Sequence, residues 1–396
     1  MLRSLYSGIS GLRSHQTMLD VTANNIANVN TIAFKASATQ FQDTLSQLTK
    51  GAGSPQSNVG GTNPAQIGLG VKVAGISTNF AQGSAQATGR STDMMISGDG
   101  FFVTDVGGVT HYTRAGSFDP DGQGRLVTPD GAILQGWPAV NGVVSTGGQL
   151  TNLTLPLQAV TPAIATTTAA VGGNLPDESA VGTTLTRDYT VYDANGTASK
   201  LTVSFARTAA GWDTTATTTA PDGTVTGPGA ATSLVFTDGA YTSGGPVTVG
   251  GISIDLSKTT GFSGLNTVTV TGQDGRDAGT LQSFTLSADG TLIGSFSNGA
   301  SEAIGRIALA TFANPSGLEK AGSSSYAATF NSGAAQLGTP GQSGLGSLTG
   351  GALEMSNVDL SQEFTNLIVA QRGFQANARI ITTSDEVLQE LTNLKR

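Results

Sequence analysis

The chain has no cysteine. Disulfides and thiolate metal ligands are therefore excluded, so stability has to come from burial or from neighbouring molecules. Only two histidines occur, His15 and His111. A Ser-His-Asp triad would need His111 as its base, and no G-x-S-x-G elbow accompanies it. There is no G-x-x-x-x-G-K-[ST] phosphate loop, and no G-x-G-x-x-G turn between a strand and a helix. Charge is also scarce: charged residues make up 12%, with 19 Lys and Arg against 27 Asp and Glu and no basic block. A formal net charge of −8 in that distribution argues against tracking nucleic-acid phosphates. No run of about 18 apolar residues is present to insert in a membrane as a helix. Arg13 and His15 interrupt the apolar stretch that a cleaved secretory signal would need. The expectation is a chain without catalytic residues, cofactor or metal.

Proline and glycine are nearly missing from the two ends. All 13 prolines lie between Pro55 and Pro340; of 55 glycines, only Gly8 and Gly11 precede residue 46 and only Gly373 follows Gly351. Helix-compatible ends thus flank a middle full of breakers, in a chain of 396 residues that is too long for one ordinary core. At the N-terminal end Leu2, Leu5, Ile9, Leu12, Gln16, Leu19, Ala23 and Ile26 recur at spacings of three and four, as seam positions do. Asn24, Asn25, Asn28 and Asn30 crowd its end and predict a stop near Asn28 to Asn30. The C-terminal end repeats the spacing with Leu360, Phe364, Leu367, Gln371, Phe374, Ala378, Ile381, Asp385 and Leu388. Ser356 to Asp359 has the form of a capping box ahead of it. Rods of about 40 and 55 Å at about 1.5 Å per residue cannot bury one stripe inside a small globule, so they require partner helices.

The middle reads as β. Asp-Gly and Asn-Gly pairs at 99–100, 121–122, 130–131, 195–196, 238–239 and 289–290 separate short alternating runs. The clearest predicted hairpins are 189–192 with 201–205 and 284–286 with 292–296. Residues 119–130 imitate a calcium loop, with Asp119, Asp121 and Asp130 in place. Gln123 stands where Asp or Asn belongs, and the flanks read as strands, which favours a hairpin turn. Residues 49–68 and 331–351 read as Gly/Ser-rich connectors.

The ends also carry specific motifs. Residues 23–31 (ANNIANVNT) with Phe34-Lys35, and residues 356–361 (SNVDLS) with 368–378 (IVAQRGFQANA), resemble the paired signatures of the bacterial flagellar rod and hook axial proteins. Residues 68–73, 96–103 and 307–318 resemble the inner β region of the same family. The large insertion around 190–205 resembles the hook branch rather than the shorter rod proteins. Asn24, Asn25, Asn28, Lys35, Asn357, Asp359, Gln371, Arg372 and Asn377 are the motif positions. Two departures stand out. Ala33 takes a place where the family usually has Gly, so the positive φ a glycine would supply is not expected. The 49–68 connector is long for a hook protein and resembles a distal-rod stretch.

The expected fold is α + β and multidomain: coiled-coil-like terminal helices flanking two nested, mainly antiparallel β domains. The expected division is 1–35 with 357–396 as the helical core, 36–70 as an extended connector, 71–145 with 281–356 as the inner β domain and 146–280 as the outer one. The resemblance implies a structural subunit, not an enzyme, polymerising with copies of itself through Leu2, Leu5, Ile9, Leu12, Leu19, Ile26, Leu360, Phe364, Leu367, Phe374, Ile381 and Leu388. It further implies a hook outside the cell body and export without a cleaved signal. The implied partners are the distal rod protein, the hook-cap scaffold and the hook–filament junction protein. A distal rod subunit with an inserted β domain and a secreted adhesin are the alternative readings.

Overall fold

A computed structural model describes residues 2–55, 60–140, 142–156 and 160–393. Helix α1 spans Leu2–Ala27 and helix α2 spans Leu360–Asn393. Helix α1 runs through Asn24 and Asn25 and ends just before Asn28, whose side chain and amide both donate to the Asn24 carbonyl, at 2.9 and 3.1 Å. Helix α2 starts one residue after its cap. The Asp359 carboxylate accepts from the Ser361 and Gln362 amides at 2.8 and 3.3 Å. The cap is therefore Asp359 and not Ser356, whose hydroxyl accepts only from the Val358 amide at 3.3 Å.

Residues 36–70, expected as an extended connector, instead belong to a paired arm. Strand β1 (Ser37–Asp43) runs antiparallel to β4 (Val71–Thr78), and β2 (Ser46–Lys50) to β3 (Ala65–Gly68). A bridge from Gly53 to Thr62 continues the ladder toward the tip. Leu45, Leu48, Ile67, Leu69 and Ile76 remain exposed along it.

Contacts divide the chain into two units. The first comprises Met1–Leu155, Thr285–Ile293 and Ala303–Arg396, so it holds the helices and the arm as well as the inner strands. Its strands are antiparallel: residues 101–106 pair with 109–113, 94–97 with 347–350, and 85–87 with 352–354. Its aromatic core sets Phe101, Tyr112, Phe312 and Tyr326 edge to face, the closest ring pair being Tyr112 and Phe312 at 4.8 Å. The second unit is Pro156–Phe284 with Gly294–Glu302, where the sequence suggested 146–280. The expected hairpin is there: Thr184–Tyr192 pairs with Ala198–Arg207, and Trp212–Thr219 adds to it. Alternate residues of these strands, including Val191, Leu201, Val203, Phe205 and Trp212, enter one core. One pairing, 168–174 with 252–260, is parallel.

The second unit uses aspartates as backbone acceptors at its turns. Burial pushes the Asp274 carboxyl up, but hydrogen bonds from the Thr167 amide and hydroxyl and the Thr168 amide outweigh it, holding the group at about 2. A depressed carboxyl contributes stability above its unfolded value and loses it as pH falls through the folded one. Thermal melts should therefore show this contribution intact at pH 5 and fading between about pH 4 and 2. Asp274→Asn should lower the melting temperature at pH 6 by about 2–4 °C and change little at pH 2. An equal effect of the substitution at both pH values would refute this role.

Candidate functional site: the junction of the two chain ends

The stretch after α1 and the stretch before α2 meet around one buried ion pair. Lys35 Nζ lies 2.6 Å from Glu354 Oε1, and both side chains are fully buried. Lys35 also donates to the Ala81 carbonyl at 2.8 Å, and Glu354 Oε1 accepts from the Gly83 amide at 2.8 Å. Arg114 stands behind them, 3.6 Å from Glu354 Oε2, with its guanidinium over the Phe101 ring and one nitrogen donating to the Gly98 carbonyl at 2.9 Å. Burial pulls the Lys35 ammonium below its ordinary value, and the bond and charge of Glu354 offset only part of that. The evident contribution of the pair is geometric: it ties the stretch after α1 to the stretch before α2.

Amide side chains complete the junction. Asn25 exchanges two hydrogen bonds with the Ser37 backbone, at 2.8 and 3.0 Å, which ties the end of α1 to the start of β1. Asn357 accepts from the Ala36 amide at 2.9 Å and donates to the Asn79 and Ala81 carbonyls at 2.8 and 3.0 Å. Ala33 is fully buried with φ of 56°, and its amide donates to the Glu354 carbonyl at 2.8 Å. The positive φ thus persists without glycine. An L-residue there is strained by about 1–2 kcal/mol, and the surrounding hydrogen bonds hold it in place.

The helices themselves pair antiparallel, with Gly8 beside Asn377, Ile380 and Ile381, and Gly373 beside His15. The contact face of α1 is its small and polar one: Gly8, Gly11, Ser14, Thr22 and Asn25 are buried, whereas Leu5, Ile9, Leu12, Leu19 and Ile26 are half-buried. The side chain of Leu2 lies outside the described residues. Two notches set the register. A Cβ on Gly11 would sit 2.6 Å from the Asn377 amide oxygen, and one on Gly373 would sit 2.5 Å from the His15 ring. Asn377 is held over its notch by donating to the Gly373 carbonyl at 2.8 Å. On α2, Leu367, Phe374 and Ile381 are half-buried, while Leu360, Phe364 and Leu388 are exposed.

Of the motif residues, Asn25, Lys35 and Asn357 converge at the junction, Asp359 caps α2, and Asn377 fills a helix notch. Asn24 and Asn28 bond to each other at 3.0 Å at the end of α1. Gln371 and Arg372 point outward, with Arg372 reaching only Gln375 at 3.5 Å. Sequence reasoning missed Glu354 and Arg114. A signal for the pair was present: Lys35 is the only charged residue between Asp20 and Asp43, and Glu354 the only one between Lys320 and Asp359. The calcium-loop imitation is a hairpin, in which Arg125 occupies the Asp121 carboxylate at 2.6 Å. Among the described residues, no group of three or more acidic or imidazole side chains is placed to hold a metal.

Glu354 stands between two buried cations, Lys35 and Arg114, so removing it strands both, whereas removing Lys35 leaves Glu354 facing Arg114. Glu354→Leu should therefore cost about 3–5 kcal/mol in thermal or denaturant melts, more than Lys35→Met. A larger loss for Lys35→Met would contradict this account.

Comparisons with known proteins agree with this anatomy. Family models match residues 5–35 (flagella basal body rod protein), 95–169 (flagellar hook protein FlgE/F/G D1 domain) and 349–394 (flagellar basal body rod FlgEFG protein C-terminal). The flagellar hook protein FlgE of Treponema pallidum is 38% identical, with all of both chains covered. That of Salmonella typhimurium is 37% identical over 99% of this chain and 100% of its own. The flagellar basal-body rod protein FlgG of Bacillus subtilis is 36% identical over the full length of both. A solved Helicobacter pylori flagellar hook protein FlgE2 shares the fold, with a TM-score of 0.52 at 14% identity, covering 68% of this chain and 100% of that one. The chain belongs to the flagellar hook protein family and is a subunit of the hook, outside the cell body.

Proposed function

We propose that this chain polymerises head to tail into a curved hollow tube that joins rod to filament and passes motor torque as a flexible joint, without catalysis. One observation carries the reading. The α1–α2 contact uses the glycine face of α1, so a second apolar stripe is left for other copies. On α2, Phe364, Ile368 and Val369 are more than half exposed in the single chain. Such residues lose water only when copies pack, which couples helix order to assembly. Contacts that do not close on themselves give helical polymers rather than closed oligomers. In this reading Leu5, Leu12, Leu19 and Ile26 of α1, with Gln371 and Arg372 of α2, face neighbouring copies in a coiled-coil-like wall. The distal rod protein, the hook-cap scaffold and the hook–filament junction protein are the proposed partners at the ends of the tube. The flagellar type III apparatus is the proposed export route.

The arm, which resembles a distal-rod stretch, and the full-length similarity to the rod protein FlgG of Bacillus subtilis favour a rod subunit instead. Electron microscopy of cells lacking the protein separates the two: intact rods without hooks support the hook, and truncated rods support the rod. In the free chain, amides of residues 2–30 and 358–393 should exchange rapidly, and they should become protected in the polymer. Strong protection in the free chain would sink the coupling of order to assembly. The arm's exposed Leu48 and Ile67 are proposed to contact neighbouring copies and stiffen the tube. Deleting residues 50–66 should yield softer, more curved hooks, and unchanged curvature and stiffness would rule that role out.

A further inference from the structure

The segment 307–318, similar to a family motif, has a local purpose that the junction does not use. Its Asn314-Pro315-Ser316-Gly317 turn buttresses the loop at 329–332. Thr329 donates through its hydroxyl to the Gly317 carbonyl at 2.6 Å, and its amide donates to the Ser332 hydroxyl at 2.9 Å. Asn314 donates to the Asn331 carbonyl at 3.0 Å, and Ser332 is fully buried. The loop approaches Gly317 closely enough that a Cβ there would lie 2.7 Å from the Asn331 carbonyl carbon. All this order serves to hold out one residue. Phe330, at the tip, is fully exposed and touches nothing that would repay its hydration cost. A large aromatic on a pre-organised loop has the character of an interface anchor, because its ordering entropy is already spent.

The same unit carries a matching hole. A cavity of about 410 Å³ opens among Ile32, Val106, His111, Ala115, Pro129 and Ala132. That volume is within the range of about 300–1,000 Å³ typical of small-ligand sites, ample for a phenyl ring. Carbon atoms make up most of its exposed wall, but Thr31, Thr113 and Asp130 also line it, and the buried His111 Nδ1 has no hydrogen-bond partner. The cavity borders the Ser323-Ser324-Ser325 turn, whereas Phe330 lies five residues beyond Ser325. Phe330 is fully exposed, so the ring does not occupy its own cavity. An exposed apolar knob and a separate pocket on one molecule permit a head-to-tail contact, which builds a helical polymer when the rotation does not close a ring.

We propose that Phe330 of one copy inserts into this cavity on the next copy of the chain. The inference rests on the chain being a hook subunit, so tube formation by the unaltered chain is scored first by electron microscopy. Absence of any tube would count against the hook reading itself and take this contact with it.

The lack of native cysteine makes the test clean. Phe330→Cys should react with a maleimide at least about tenfold more slowly in assembled hooks than in the free chain. Hooks of the double variant Phe330→Cys, Val106→Cys should give a ladder of disulfide-linked multimers on oxidation, and neither single variant should. An intrachain bond would run as a monomer and is distinguished at once. Equal labelling in hook and free chain would overturn the proposal. So would protection without a ladder, which would put Phe330 against some other surface. If Phe330→Cys abolishes the tube while the free chain keeps its melting temperature, restoration by Phe330→Tyr supports the aromatic knob, and failure of Tyr to restore it counts against it.

Discussion

The structure depends on bringing Lys35 and Glu354, separated by 319 residues, to a single buried point. Closing a flexible loop of that length costs about 5 kcal/mol in chain entropy before constants are added, more than a desolvated ion pair returns. The pair cannot therefore recruit the two ends by itself. The strands between supply the rest, since Ala85–Ala87 pairs with Ala352–Glu354 and holds the two stretches side by side. The bonds of Lys35 to the Ala81 carbonyl and of Glu354 to the Gly83 amide add to that pairing.

Once set, the junction governs everything beyond it. Asn357 and Asn25 satisfy backbone groups that would otherwise be orphaned where chain changes direction. Ala33 accepts a strained backbone so that its amide can meet the Glu354 carbonyl. Asp359 then launches α2 two residues after Asn357, and the helix runs back along α1 in a register fixed by Gly11 and Gly373. The arrangement half-buries most of the apolar seam residues and leaves Phe364, Ile368 and Val369 more than half exposed, which is what a subunit that gains partners outside itself requires.

Much of this was legible in the residues. Spacing and the absence of breakers located both helices, and the asparagine cluster marked where the first one stops. The alternating run 189–205 and its Asn-Gly turn located the main outer hairpin. Other features were hidden for physical reasons. A hydrophobic-periodicity reading scores leucines and overlooks glycines, so it did not single out Gly8, Gly11 and Gly373, which sit at the helix–helix contact. The arm was read as a connector because Gly, Ser and Asn dominate its tip, while its pairing is long-range and leaves few residues buried to betray a strand pattern. The capping box was misplaced by three residues because Ser356 and Asp359 both fit the N-cap preference. The buried ion pair escaped notice because each charge stands alone in its stretch of sequence, a pattern that reads as nothing until both are placed together.

The two helix notches have a mechanical consequence. Asn377 over Gly11 and His15 against Gly373 interlock like teeth and oppose sliding of one helix along the other. A shaft built of such pairs would carry twist as a stiff ratchet, and the yielding needed to bend on every revolution would have to reside in the charge-poor β units.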